Sequence, residues 1–166
     1  MAKIVLTRID NRLVHGQVGV TWVNSLDINV IVVVDDICYY DVIAKKIMEG
    51  IARTSDIAIR FYTLEEFIQR YFKVESNQRI FLVIKNPEVA KQLHKKKIPI
   101  HEINLGNMHY ERGKIALTKK VYIDKTDVDN LQYLLKKGVD MYYQEIPGTP
   151  REKITMSKVE ESLCKH

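Results

Sequence analysis

Two short runs of this chain, Val30-Ile31-Val32-Val33-Val34 and Ile80-Phe81-Leu82-Val83-Ile84, are apolar at every position. A strand with one wet face alternates apolar and polar residues. A strand without alternation is covered on both faces, which is the condition of parallel sheets in α/β proteins. Further strand candidates surround these two. The full set is Ile4–Ile9, Asn29–Asp35, Ile57–Tyr62, Arg79–Ile84, Ile100–Leu105, Lys120–Ile123 and Met141–Ile146.

Helical segments with recognisable ends lie between the strands. Thr63 and Glu66 have the spacing of a capping box ahead of Phe67 and Ile68. Asn86-Pro87 supplies a cap followed by proline at the first helical position. Asp124 can open a helix carrying Val128, Leu131 and Leu134, which Gly138 can end in left-handed geometry. Strand and helix in alternation predict an α/β fold: a single open, mainly parallel sheet with helices on both faces. The stretch Gly106 to Lys114 is turn-rich where a crossover helix would be expected, so an irregular or antiparallel edge is predicted towards the C-terminus. No repeat or linker divides residues 1–166, which read as one domain with 147–166 as a peripheral tail bearing a short helix.

Composition narrows the function classes. No run approaches the roughly 18 apolar residues of a membrane span. Met1-Ala2-Lys3 leads directly into a strand candidate without a signal-peptide core. The expectation is a cytoplasmic protein. Net charge is +5, with clusters at Lys95-Lys96-Lys97 and Lys119-Lys120. The first suits a helix C-terminus, and no aromatic residues interleave with it, so no nucleic-acid partner is expected. Two cysteines, Cys38 and Cys164, are too few for a disulfide framework or a zinc site. A G-x-G-x-x-G after a strand and a G-x-x-x-x-G-K-[ST] are both absent, and neither a cofactor nor a metal is expected.

Open α/β sheets bind ligands beyond the carboxyl ends of their strands. The first strand runs into Asp10-Asn11-Arg12-Leu13-Val14-His15-Gly16-Gln17-Val18. Gly16 permits a tight turn, and a helix starting at Gln17 would aim free N–H groups of Gly16, Gln17 and Val18 at an anion. Arg12 offers a planar fork matched to phosphate oxygens. His15 can accept and release a phosphoryl group near neutral pH. Asp10 is placed either to orient Arg12, to fix the His15 tautomer, or to hold the loop by a plain salt bridge. From spacing alone, phosphoryl chemistry and a loop with a merely packed histidine are both open. A non-catalytic anion- or nucleotide-binding regulatory module is the alternative of another class.

The stretch Arg8-Ile9-Asp10-Asn11-Arg12-Leu13-Val14-His15-Gly16-Gln17-Val18 resembles the signature of IIB components of the mannose/fructose/sorbose family of the bacterial sugar phosphotransferase system. The similarity continues through Val30–Asp35, through Ile103 to Met108 with Gly113-Lys114, and to Lys136-Lys137-Gly138, covering roughly residues 3–150. The resemblance implies a phosphotransferase without cofactor, peripherally associated with a membrane permease. A IIA partner would phosphorylate His15, at the δ1 ring nitrogen. Phospho-His15 would then pass the group to a sugar entering through membrane IIC and IID components. Many members of that family carry a second glycine where this chain has Asn107, a residue that tolerates left-handed geometry.

Other polar candidates have plainer readings. Asn107 and His109 are expected on the rim of the His15 loop. His94 and His101 read as a helix-end and a strand-start residue, and His166 is terminal. Asp35-Asp36 reads as a helix cap rather than a metal site, since no third ligand accompanies it. Trp22 and Cys38 read as core.

Overall fold

The structure, a computed structural model, describes residues 2–73 and 77–164; His166 lies outside them. Among the described residues nine strands form, β1 (Lys3–Asp10), β2 (Val30–Val34), β3 (Ala58–Tyr62), β4 (Arg79–Ile84), β5 (Glu102–Asn107), β6 (Ile115–Thr118), β7 (Val121–Ile123), β8 (Asp140–Tyr143) and β9 (Glu152–Lys153). The helices are α1 (Gly16–Ser25), α2 (Asp36–Tyr40), α3 (Val42–Thr54), α4 (Leu64–Tyr71), α5 (Pro87–Lys95), α6 (Lys125–Lys136) and α7 (Met156–Leu163).

Seven strands make one open sheet in the order β3-β2-β4-β1-β5-β8-β9. All neighbours are parallel except the edge pair, where β9 runs against β8. The two fully apolar runs are β2 and β4, paired in register from Val30↔Ile80 to Val34↔Ile84, and every residue of β2 is buried. Two hydrophobic clusters account for this. One holds Leu6, Ile31, Val33, Phe81 and Val83 against Trp22, Val23, Met48 and Ala52 of α1 and α3. The other holds Ile9, Val32, Leu82, Ile103 and Leu105 against Phe67, Leu93, Leu131 and Val159 of α4 to α7. The expected α/β sheet with helices on both faces is what forms.

The caps read from the sequence close as expected. Thr63 with Glu66 forms a capping box, and Asn86 accepts from Val89 N at 3.0 Å ahead of Pro87. Asp124 caps α6, and Gly138 beyond its end has φ +82°. Asp35 caps α2, and Asp36 accepts the Leu64 N–H at 2.8 Å, so this pair stitches loops together.

Three features differ from the expectation. The turn-rich 106–114 stretch leads into a separate antiparallel pair, β6–β7, joined to the end of β5 by the Met108–Val121 bridge. The antiparallel edge of the main sheet is made by β9, from the segment expected as a peripheral tail. In that segment Ile154 and Val159 are 1% and 0% exposed and belong to the core. Asn107 does not adopt left-handed backbone; it ends β5 in extended geometry, and the left-handed residues near the loop are Leu13 and Gly16, at φ +58° and +47°.

Candidate functional site

β1 is central, flanked by β4 and β5. After β1 the chain leaves through α1 on one face, whereas after β5 it leaves towards β7 and α6 on the other. Loops that diverge to opposite faces open a crevice at the carboxyl ends of the strands. The His15 loop occupies it. The left-handed Leu13, whose N–H donates to Asp10 O at 2.9 Å, turns the chain sharply after β1. Leu13 and Val14 are then buried against α1 and α3. That fixes the loop from beneath and leaves His15 as the N-cap of α1.

His15 has extended backbone and its side chain does not cap the helix; its carbonyl accepts from Gly19 N at 3.0 Å. The ring is 20% exposed and turns back to Asp10, with Nε2 at 3.2 Å from Asp10 Oδ2. Among the described residues the N–H groups of Gly16, Gln17 and Val18 meet no protein acceptor, so the positive end of α1 is open beside the ring.

Asp10 is fully buried. Its Oδ1 accepts the Arg12 backbone N–H at 3.0 Å, and Oδ2 accepts from both His15 and the Arg8 guanidinium, the latter at 3.0 Å. Burial pushes the Asp10 carboxyl up. The bond from His15, the charge of Arg8 and the Arg12 N–H together outweigh it and hold the group below its ordinary value. Asp10 is therefore an anion that can only accept, so in a neutral His15 ring the proton sits on Nε2 and the lone pair on Nδ1.

The sequence pattern placed His15, Asp10, Gly16, Gln17 and Val18 together, and the structure brings them together. Arg12 joins only through its backbone; its side chain is exposed and makes no ion pair among the described residues. Asn107 and His109 approach through Asn11. Asn11 N donates to Asn107 O at 2.9 Å, and the Asn11 side-chain oxygen accepts from His109 N. The Asn11 amide also reaches Lys85 O at 3.4 Å, so one side chain ties together the loops after β1, β4 and β5. His94 and His101 lie elsewhere, His94 edge-on to Tyr133 between α5 and α6.

Arg8 was not singled out from the sequence, yet it lies at the centre of the buried polar network. Its guanidinium donates to Asn104 Oδ1 and to Gln144 O at 3.3 Å, and sits over the Trp22 ring at 5.2 Å. Asn104 also donates to Gln144 O, at 3.1 Å. The signal was available: Arg8 and Asp10, two apart on a strand with neighbours on both sides, point to one covered face. Buried charges in that position must pair. Among the described residues no helix is long and apolar enough to cross a membrane.

Comparison with known proteins places this geometry. Residues 4–164 match the family model of the PTS system sorbose subfamily IIB component. The chain is 42% identical over 151 residues to the N-acetylgalactosamine-specific phosphotransferase enzyme IIB component 1 of Escherichia coli, covering 91% of this chain and 96% of that protein. The crystal structure of that IIB component 1 superposes with a TM-score of 0.87 over 92% of this chain and 99% of its own. The IIB domain of the sorbose permease of Klebsiella pneumoniae, 26% identical, gives the same TM-score with 98% of each chain covered. The mannose-specific EIIAB component of E. coli is matched at 26% identity over 95% of this chain and half of that longer protein. The chain therefore belongs to the sorbose subfamily of IIB components, phosphotransferases of the bacterial sugar phosphotransferase system.

Proposed function

We propose that His15 is the phosphoryl carrier of this IIB component and that Nδ1 is the acceptor atom. The observation that carries the reading is the 3.2 Å contact between His15 Nε2 and the buried Asp10 carboxylate. It leaves Nδ1 as the free nucleophile of a ring seated at an open helix N-terminus. Nδ1 attacks the phosphorus of a phosphohistidine on a IIA partner, and the donor N–P bond breaks with its electron pair returning to the donor ring. His15 keeps its Nε2 proton throughout, so the ring gains positive charge as the new N–P bond forms. The Asp10 carboxylate faces that charge.

Exchange of one phosphoramidate bond for another needs little net driving force, so positioning and charge neutralisation are the work of the protein. The N–H groups of Gly16, Gln17 and Val18 bind the equatorial oxygens, and the unpaired Arg12 guanidinium is free to fold over them. Asn107 and His109 form the rim, held by Asn11. The second transfer delivers the group to a sugar entering through membrane IIC and IID components, with the protein working from the cytoplasm. The two E. coli relatives named for N-acetylgalactosamine, at 42% and 39% identity, make that amino sugar the first to test.

The test is donor-dependent phosphorylation with phosphoenolpyruvate, the general transfer proteins and candidate IIA proteins, read by intact mass and acid lability. One acid-labile phosphoryl group, absent from a folded His15→Ala variant, is expected. Labelling that persists in His15→Ala would sink the assignment. A parent protein that takes up no label from any IIA, yet binds phosphate or a nucleotide tightly, would favour the anion-binding alternative.

A further inference from the structure

We propose that Arg8 is a positioning residue for phosphoryl transfer: its buried guanidinium holds Asp10 as the anion that keeps the His15 ring proton on Nε2. The inference deepens the carrier reading and rests on it.

The geometry is a chain of contacts leading away from the reacting atom. His15 Nε2 and the Arg8 Nη2 meet the same oxygen, Asp10 Oδ2, at 3.2 and 3.0 Å. The other carboxylate oxygen is taken by the Arg12 N–H at 3.0 Å. The opposite side of the guanidinium is fixed by Asn104 and the Gln144 carbonyl, and its face by Trp22. β5 leaves room for it only because position 106 is glycine; a Cβ there would lie 2.2 Å from Arg8 Cζ. Arg8 is 3% exposed and Asp10 0%, so solvent does not screen the pair. Among the described residues this guanidinium, seated on every side, has one charged partner, and that partner's remaining hydrogen bond goes to the carrier histidine.

The chemical consequence is a choice of tautomer. With Arg8 in place, the anionic carboxylate can only accept, so Nε2 must be the protonated nitrogen. Without Arg8 the buried carboxylate loses the charge that helps the His15 and Arg12 contacts outweigh its burial, and the balance moves towards its neutral form, which takes a proton from solvent. The carboxylic acid O–H then donates to Nε2, and the single proton of the neutral ring moves through solvent to Nδ1. Nδ1–H has no lone pair for phosphorus, and phosphoryl acceptance would require that proton to leave first. Arg8 touches neither the phosphoryl group nor the ring; it acts through Asp10.

The experiment uses the full chain with its histidines labelled with nitrogen-15. The tautomer is read from ring nitrogen shifts, alongside the rate of phosphoryl uptake from a phosphorylated IIA between pH 6 and 9 on the order of the histidine range. In the parent, His15 is expected to show a protonated Nε2 and an unprotonated Nδ1. Arg8→Met is expected to move the proton to Nδ1 and to slow uptake at least about 100-fold, the scale of a misplaced proton-transfer group. Arg8→Lys, which restores the charge without the fork, is expected to recover part of both. A folded Arg8→Met protein that keeps the Nε2 proton and accepts phosphate at the parent rate overturns the proposal. Should Arg8→Met fail to fold, the parent spectrum decides, because an Nδ1-protonated His15 in the parent overturns it equally. A parent that is not labelled by any donor counts against the carrier reading instead, and its tautomer still tests Arg8.

Discussion

Replacing Gly106 by alanine probes the buried network with a single methyl group. The new Cβ would stand 2.2 Å from Arg8 Cζ, 2.3 Å from Nη2 and 2.6 Å from Nη1, where ordinary contact begins at 3.4 Å. The guanidinium must retreat by about 1.2 Å. Its contacts are hydrogen bonds to Asp10, Asn104 and Gln144 and the ring of Trp22, so a retreat of that size breaks at least one charged bond. Leaving one member of a buried ion pair uncompensated costs about 3–5 kcal/mol. Loss of glycine's unfolded-state freedom returns about 0.4–1 kcal/mol, so the net destabilisation is roughly 2–4.6 kcal/mol. With a urea m-value of about 2–3 kcal/mol/M, the midpoint of unfolding should fall by about 1–2 M with m unchanged. Gly50→Ala in α3 is the control, since nothing lies within 4 Å of its Cβ position. It should raise stability by about 0.5–1 kcal/mol. A Gly106→Ala protein within about 0.5 kcal/mol of the parent would refute the rigid seat for Arg8.

Because Asp10 is held below its ordinary value, its contribution to stability is present above the unfolded carboxylate range. It is lost as pH falls through the folded value, so acid unfolding of Asp10→Asn should show a shallower pH dependence than that of the parent, read by denaturation at pH 2–5. Burial pushes the Tyr142 hydroxyl up to about 12, and this group finds no hydrogen-bond partner among the described residues. Tyr142→Phe should be at least as stable as the parent at neutral pH, and should lose less stability than the parent between pH 10 and about 12. Ile154→Ala should cost about 2–5 kcal/mol in urea unfolding, as for a core isoleucine; a cost under 0.5 kcal/mol would mean that the tail packs only loosely.

Most of the sheet was legible because strands buried on both faces leave no alternation, and because caps such as Thr63–Glu66, Asn86–Pro87 and Asp124 are local hydrogen-bonding patterns. β6 and β9 were not. Ile115–Thr118 and Glu152–Lys153 are too short to show a period; β6 pairs with β7 across the Lys119-Lys120 turn, and β9 is placed by where β8 lies. Within the site, His15 and Asp10 were readable as a motif at a strand end. The partners that seat Arg8 lie far along the chain, Asn104 by 96 residues and Gln144 by 136: with Gly106 they meet Arg8 only through the order β1-β5-β8. Asn11 stood in the motif as a neutral position, and its value lies in reaching Lys85 and His109 across two parallel strands. Arg12 was read for its guanidinium, whereas its backbone N–H is the group that binds Asp10.

The most direct measurement is the identity of the phosphorylated nitrogen in the phosphorylated full chain, read from nitrogen-15 and phosphorus-31 spectra of His15. With Nε2 held by Asp10, the phosphorus must be bonded to Nδ1 and Nε2 must keep its proton. A phosphoryl group on Nε2, or on any side chain other than His15, would contradict the role of the Asp10 contact on which the reading of this site depends.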